Sequence, residues 1–174
     1  MKRDDYISWD SAFISMAAII SFRSKDPSTQ NGAIIVDKLN RIVSVGYNGF
    51  PRTIGTNDSE FPWTRPDKYN YVVHAEINAI LNAKRDLSNC SIYLYSERGY
   101  YPCPQCAALI VNSGIKNVIC GHIENEDISN SGTYDWSHTK LIFEKSDVNI
   151  RVLNNLKSVI GNVNDKLNKI MEKL

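Results

Sequence analysis

Short runs of β-branched residues alternate with segments of helical period along most of this 174-residue chain, and this alternation constrains its fold more than any other feature. The first two runs, 33–36 and 42–45, have only Asp37 to Asn40 between them and are predicted to form a hairpin. Later strands are predicted at 91–95, 116–120 and 148–153, and helices at 9–22, 74–84, 102–112, 136–145 and from 154 onward. A hairpin followed by strands that alternate with helices predicts a three-layer α/β/α domain whose central sheet is mixed.

The length of the chain indicates a single domain over residues 1–174, because one ordinary domain has ~100 to 200 residues. Within it, residues 153–174 carry an apolar stripe with lysines on the opposite side. We expect this segment to be a C-terminal helix that packs on the core or at a subunit interface.

The composition, 43% hydrophobic and 22% charged, is that of a globular protein and excludes extended disorder, collagen and a membrane bundle. The longest apolar stretch, 12–22, is shorter than the ~20 residues that span a bilayer, and no signal-peptide cleavage pattern follows it. We therefore expect a cytoplasmic location, in the host cytoplasm if the source is viral. There Cys90, Cys103, Cys106 and Cys120 are expected to be thiols or metal ligands rather than disulfides.

The formal net charge is only +1, from 20 basic and 19 acidic residues. A chain with no basic excess lacks the electrostatic attraction that holds a long polyanion. Nucleic acid and membranes are therefore not expected as partners, whereas a small phosphorylated ligand, which needs only a few local donors, stays open.

Two short motifs stand at the beginnings of predicted helices: His74-Ala75-Glu76, and Cys103 and Cys106 within Pro-Cys-Pro-Gln-Cys. The two cysteines are one helical turn apart, so both thiolates can bind one ion from the same side. His74 can bind the same ion at the first turn of its helix while Glu76 stands beside it. The positive end of each helix dipole favours a thiolate or a developing anion at this place.

One histidine and two cysteines are three protein ligands, and a tetrahedral zinc with three ligands keeps a fourth position for water, as catalytic sites do. A carboxylate that is not a ligand, here Glu76, is then placed to take the proton of the water and deliver it elsewhere. A lone Cys-x-x-Cys is also compatible with a redox pair or half of a structural site. Cys120 and His122 would close a four-ligand structural zinc with the two cysteines.

His-x-Glu combined with Pro-Cys-x-x-Cys is the signature of zinc-dependent nucleobase deaminases. The chain resembles the cytidine and deoxycytidylate deaminase superfamily and, within it, the deoxycytidylate deaminases. The narrower resemblance is carried, in the family's order, by Trp9-Asp10, Arg23-Ser24-Lys25-Asp26-Pro27, Gly32-Ala33, Asn40-Arg41-Ile42-Val43, Gly46-Tyr47-Asn48-Gly49-Phe50-Pro51, His74-Ala75-Glu76-Ile77-Asn78-Ala79-Ile80 and Ser113-Gly114-Ile115.

This resemblance implies the cytidine deaminase-like fold and hydrolysis of dCMP to dUMP and ammonia, which supplies dUMP for thymidylate synthesis. It implies one catalytic Zn²⁺ per chain on His74, Cys103 and Cys106, with Glu76 carrying protons to N3 and to the exocyclic amine. Candidate substrate-binding residues are Arg23, Ser24, Lys25, Asn48, Ala75, Arg98 and Tyr101, because the 5′-phosphate of such a substrate needs cationic or backbone donors near the pocket. Arg23 and Lys25 are equally compatible with a solvated cationic helix end.

The resemblance further implies a homohexamer that dCTP activates and dTTP inhibits, with Mg²⁺ accompanying a bound effector. The implied effector residues are Asn40, Gly46, Tyr47, Asn48, Gly49 and Arg52, so that Asn48 is shared with the substrate set. Thr53 stands where relatives often have glycine, which is a departure from the effector pattern.

A second departure is the segment from Ser96 to Tyr101, which replaces the short approach to the first cysteine in relatives. Its tyrosines abut the predicted pocket near C5 of the pyrimidine, so a 5-methyl or 5-hydroxymethyl dCMP is an alternative substrate. The alternative from another class is a non-catalytic binding module with structural zinc. Editing of single-stranded nucleic acid is chemically compatible but is disfavoured by the missing basic excess.

Overall fold

Helices and strands alternate in the part of the chain that the computed structural model describes, which is residues 2–52, 61–96, 101–121, 136–154 and 156–172. The strands are β1 (Asn31–Val36), β2 (Ile42–Tyr47), β3 (Ser91–Ser96), β4 (Asn117–Gly121) and β5 (Asn149–Leu153). The helices are α1 (Trp9–Ser21), α2 (Ala75–Ala83), α3 (Pro104–Asn112), α4 (Trp136–Lys145) and α5 (Leu156–Met171), and a 3₁₀ turn covers Asp67–Asn70.

The strands form one sheet in the order β2-β1-β3-β4-β5. Strand β1 is antiparallel to both β2 and β3, whereas β3, β4 and β5 are parallel to one another. Parallel neighbours need a crossover, and α3 and α4 lie between the parallel strands along the chain. The predicted α/β class and mixed sheet are confirmed.

Both faces of the central strands are apolar, because alternate side chains point to opposite sides and each side is covered by helices. On one face, Ile35 and Ile92 belong to the core cluster that includes residues of α2, α3 and α4. On the other face, Ile34 packs with Phe13 and Ala17 of α1. Helix α5 lies against α1 on this second face. The sheet is therefore the middle of three layers, with α2, α3 and α4 on one side and α1 and α5 on the other.

Residues 61–73, here called the strap, lead directly into α2. Val73 and Gly49 form an isolated antiparallel bridge, with hydrogen bonds of 2.8 and 3.1 Å between their backbones. The Trp63 ring stacks on Phe50 with the ring centroids 4.0 Å apart, and Tyr71 meets Phe50 edge-on at 6.4 Å. The strap is thereby held against the segment that follows β2.

The C-terminal segment forms α5, which is anchored at its beginning and exposed at its end. Leu156 is buried, whereas Leu167, Ile170 and Met171 are exposed. Among the described residues, every helix is too short or too polar to cross a lipid bilayer.

Candidate active site and metal centre

Two helix beginnings face each other in the site. His74 is the N-cap of α2 and Cys103 is the N-cap of α3, and both have extended backbones. Neither side chain forms a capping hydrogen bond to its own helix, so both point away from it toward the opposite motif. Pro104 occupies the first turn of α3, where its missing N–H costs no helical hydrogen bond.

His74, Cys103 and Cys106 converge at this point. The His74 Nδ1 atom lies 3.5 Å from Cys103 Sγ and 3.4 Å from Cys106 Sγ, and the three donor atoms lie within 4.8 Å of one another. Tetrahedral zinc with ordinary Zn–N and Zn–S bonds places nitrogen and sulfur about 3.6 Å apart. Both sulfurs are buried, and the number, type and spacing of the donors fit a zinc ion.

Glu76 lies in the first turn of α2, beside the cluster and not within it. Burial raises the pKa of the Glu76 carboxyl, while the nearby His74 cation opposes this shift. The hydrogen bond to Cys103 raises the pKa of His74. A hydrogen bond from Cys106 holds the pKa of Cys103 far below its ordinary value, and the pKa of Cys106 is raised correspondingly. The four ionisable side chains of the site are therefore close enough to one another, and sheltered enough from water, to shift each other's pKa values.

Cys120 does not contribute to the three-donor cluster found among the described residues. It is buried on β4, and this burial raises the pKa of its thiol above the ordinary range. His122, the other residue of the closed four-ligand alternative, lies outside the described residues, as does Arg98.

The candidate substrate residues occupy different environments. Arg23 and Lys25 follow α1, where Arg23 is exposed, and Ser24 Oγ donates a 2.8 Å hydrogen bond to the Asn48 carbonyl. Ala75 is buried at the start of α2. Tyr101 is partly buried, and its ring lies below the Lys140 ammonium and 5.9 Å from the Trp136 ring centroid.

Asn48 is buried, with 3% of its surface exposed, and its amide is engaged within the protein. Its Oδ1 accepts a 2.8 Å hydrogen bond from the Asn31 N–H, and its Nδ2 donates to the Thr29 carbonyl at 3.0 Å. The same Nδ2 lies 3.5 Å from Asp26 Oδ2. A hydrogen bond from Asn48 Nδ2 to sugar or base therefore requires one of these contacts to be exchanged.

The candidate effector residues fall into two places. Asn40 lies in the β1–β2 turn with φ of 59°, roughly 20 Å along β2 from Tyr47, so the fold does not group them. Tyr47 and Arg52 lie on the flank of α2, where Asn78 Nδ2 donates to the Tyr47 carbonyl at 2.8 Å and Arg52 Nη2 donates to Asn82 Oδ1 at 2.5 Å.

Gly46 packs under the α2 backbone, a role that its place in the motif did not indicate. A Cβ at Gly46 would lie 2.3 Å from the Ala75 carbonyl oxygen and 2.4 Å from the Ala79 nitrogen. Gly46→Ala is therefore expected to lower the free energy of unfolding by about 1–3 kcal/mol, the usual cost of overpacking. Gly49→Ala is the control, since its Cβ would meet its nearest atom at 3.8 Å. Urea denaturation that finds the two variants equally stable would contradict the contact between β2 and α2.

Sequence reasoning missed the ion pair between Lys68 of the strap and Asp26. Lys68 Nζ lies 2.7 Å from each Asp26 oxygen, and both side chains are almost fully buried. Asp26 Oδ1 also accepts the Ser28 N–H at 2.8 Å. The pair joins segments 42 residues apart, and no local pattern around Lys68 signals it.

Comparison with known proteins agrees with this geometry. The family model described as the cytidine and deoxycytidylate deaminase zinc-binding region matches residues 7–122. Deoxycytidylate deaminases of Pongo abelii and Homo sapiens are each 46% identical to the chain over 125 residues, covering 68% of it and 67% of the relative.

Solved structures show the same fold. The dCMP deaminase from the cyanophage S-TIM5, in complex with dCMP and dUMP, superposes with a TM-score of 0.62 at 22% identity, covering 88% of this chain and 99% of that one. The fold agrees with the family model and with the 46% identical relatives, and these two findings show that the chain belongs to the cytidine and deoxycytidylate deaminase family.

Proposed function

We propose that this protein is a zinc-dependent hydrolase that converts dCMP and water to dUMP and ammonia. The observation that carries the proposal is the convergence of His74, Cys103 and Cys106 at two helix beginnings, with the carboxylate of Glu76 beside the three donors. The choice of dCMP is supported by the relatives named deoxycytidylate deaminase and by the dCMP and dUMP bound in the cyanophage structure.

In this proposal His74, Cys103 and Cys106 hold the zinc ion. A zinc ion with an open position would supply Lewis acidity and would lower the pKa of its bound water toward about 7. Glu76 accepts the proton of the water and donates it to N3 of the pyrimidine, which makes C4 electrophilic. The oxygen of the deprotonated water then bonds to C4. Glu76 takes the remaining proton from this oxygen and gives it to the exocyclic nitrogen, the C4–N bond breaks, and ammonia leaves the C4 carbonyl of uracil behind.

The finer parts of the proposal concern regulation, location and substrate range. Activation by dCTP and inhibition by dTTP are proposed to act through the segment from Tyr47 to Arg52, because this segment contacts α2, the helix that carries Glu76. We also propose that the product dUMP supplies thymidylate synthesis in the cytoplasm. Deamination of a 5-modified dCMP is the alternative, since the partly buried Tyr101 lies in the departing segment.

A substrate panel tests the proposal directly. Purified protein with its measured zinc content is assayed for ammonia release from dCMP, 5-methyl-dCMP, 5-hydroxymethyl-dCMP, CMP and deoxycytidine, with and without dCTP and dTTP. We expect dCMP to have the highest kcat/KM of the five compounds, and we expect the protein to contain one zinc per chain. A chelator is expected to reduce turnover to background until zinc is restored. Zinc-loaded protein that releases ammonia from none of the five compounds would contradict the proposal and favour a non-catalytic binding module.

A further inference from the structure

Helix α4 holds the backbone immediately before Cys103. The Thr139 hydroxyl donates a 2.9 Å hydrogen bond to the Pro102 carbonyl, the last carbonyl before Cys103. Thr139 has 0% exposed surface, and Pro102 and Cys103 are buried as well. This side-chain bond therefore lies inside the protein, where water does not replace it if it is lost.

The hydrogen bond from Thr139 holds a segment that has few backbone donors of its own. Both neighbours of Cys103 are proline, so neither Pro102 nor Pro104 has an N–H with which to fix the chain. The Pro102 carbonyl belongs to the peptide plane from which the Cys103 side chain projects. Holding that carbonyl therefore holds the plane that ends at the Cys103 Cα atom, and Cys103 Sγ is only two bonds away from that atom.

Helix α4 is itself firmly placed. Phe143, one turn after Thr139 on the same face, has 1% of its surface exposed and belongs to the core cluster shared with α2 and α3. Trp136 and Lys140, which share this side of the helix, both contact the Tyr101 ring, with the Lys140 ammonium 5.4 Å from its centroid. Three residues of α4 thus contact the two residues that precede Cys103.

We infer that Thr139 is a positioning residue for the metal site, which sets the direction of Cys103 through its hydrogen bond to the Pro102 carbonyl. The inference rests on the proposed zinc function. Thr139 lies beyond residues 7–122, the part of the chain that matches the zinc-binding family model, so α4 adds a support that the matched region does not contain. Groups that orient metal ligands typically affect metal affinity by 10- to 100-fold when removed.

Thr139→Val tests the inference, because valine keeps the shape of threonine and removes only the hydroxyl. Zinc affinity is measured by competition with a chromophoric chelator, and the Co²⁺-substituted protein gives the ligand-field spectrum of the site. We expect the zinc Kd to rise on the order of 10-fold and the Co²⁺ spectrum to change. Thr139→Ser, which restores the hydroxyl, is expected to return both readouts to the wild-type values.

Ser21→Ala is the matched control. Ser21 is also fully buried and donates a 2.7 Å hydrogen bond to the Ala18 carbonyl, but it lies on α1 across the sheet. We expect this variant to lose thermal stability and to keep the wild-type zinc Kd and Co²⁺ spectrum. A merely structural role for Thr139 would produce the same result as Ser21→Ala.

A Thr139→Val protein that binds zinc as tightly as wild type, whatever its thermal stability, would overturn the inference while leaving the proposed function intact. If the valine variant does not yield folded protein, Thr139→Ala removes the same hydroxyl without adding a methyl group near the carbonyl, and it is judged by the same two outcomes. Absence of zinc binding by the wild-type chain would overturn the proposed function and the inference together.

Discussion

Glu76→Gln is expected to lower kcat for dCMP deamination by roughly 10²- to 10⁴-fold, the contribution typical of a positioned general acid and base. Glutamine has nearly the same shape as glutamate but cannot accept a proton from water and deliver it to N3 or to the leaving amine. Because both transfers belong to the reaction and not to substrate binding, kcat and kcat/KM should fall together. Steady-state kinetics of ammonia release measure this effect.

Loss of zinc would not account for this result, because the Glu76 carboxylate is not among the three donors that lie within 4.8 Å of one another. The variant is therefore expected to retain one zinc per chain. Unfolding would not account for it either, since a neutral amide costs less to bury than a carboxylate. Zinc analysis and thermal denaturation of the same preparation check both points.

Glu144→Gln provides the control for the removal of a carboxylate. Glu144 is exposed on α4, and its replacement should leave kcat and zinc content at the wild-type values. If Glu76→Gln turned over dCMP as fast as Glu144→Gln, the role of Glu76 as the proton carrier would be wrong.

Local patterns along the chain were sufficient to predict the order of helices and strands and the mixed sheet. The β-branched runs 33–36 and 42–45 and the turn residues between them are short-range signals, and they correctly indicated β1 and β2. The motif at His74 and the motif at Cys103 were predicted to begin helices, and each of these residues is an N-cap in the structure. The sequence pattern therefore predicted that the two motifs lie close together. It did not predict the distances between their atoms.

The contacts that hold the site in place are long-range and have no local signature. Thr139 meets Pro102 across 37 residues, and nothing about a threonine in a polar helix indicates a buried hydrogen bond to that carbonyl. Gly46 belongs to a motif that suggested nucleotide binding. In the structure, the absence of a side chain at Gly46 allows β2 to pack closely against the α2 backbone. Such roles depend on which elements pack together, and only the three-dimensional arrangement provides that information.

Lys68→Met is expected to lower the free energy of unfolding by about 3–5 kcal/mol, because it leaves the Asp26 carboxylate buried without its counter-charge. The exposed fractions of the two side chains are 4% for Lys68 and 3% for Asp26, so water does not reach the unpaired group without local opening. The loss should also loosen the strap, which leads into His74, since Lys68 lies in its 3₁₀ turn. Urea denaturation measures the free energy.

Two further variants separate the buried charge from the loss of a lysine. Arg3→Met breaks the Arg3–Asp5 pair, whose side chains are 69% and 70% exposed, and should leave the stability essentially unchanged. Lys68→Met combined with Asp26→Asn removes both charges, while the amide introduced by the second substitution keeps an oxygen to accept the Ser28 N–H. This double variant should be more stable than Lys68→Met alone, because Asp26→Asn removes the carboxylate that Lys68→Met leaves unpaired. The effects of the two substitutions on stability are therefore not additive. If Lys68→Met were as stable as Arg3→Met, the buried ion pair between Lys68 and Asp26 would not stabilise the attachment of the strap.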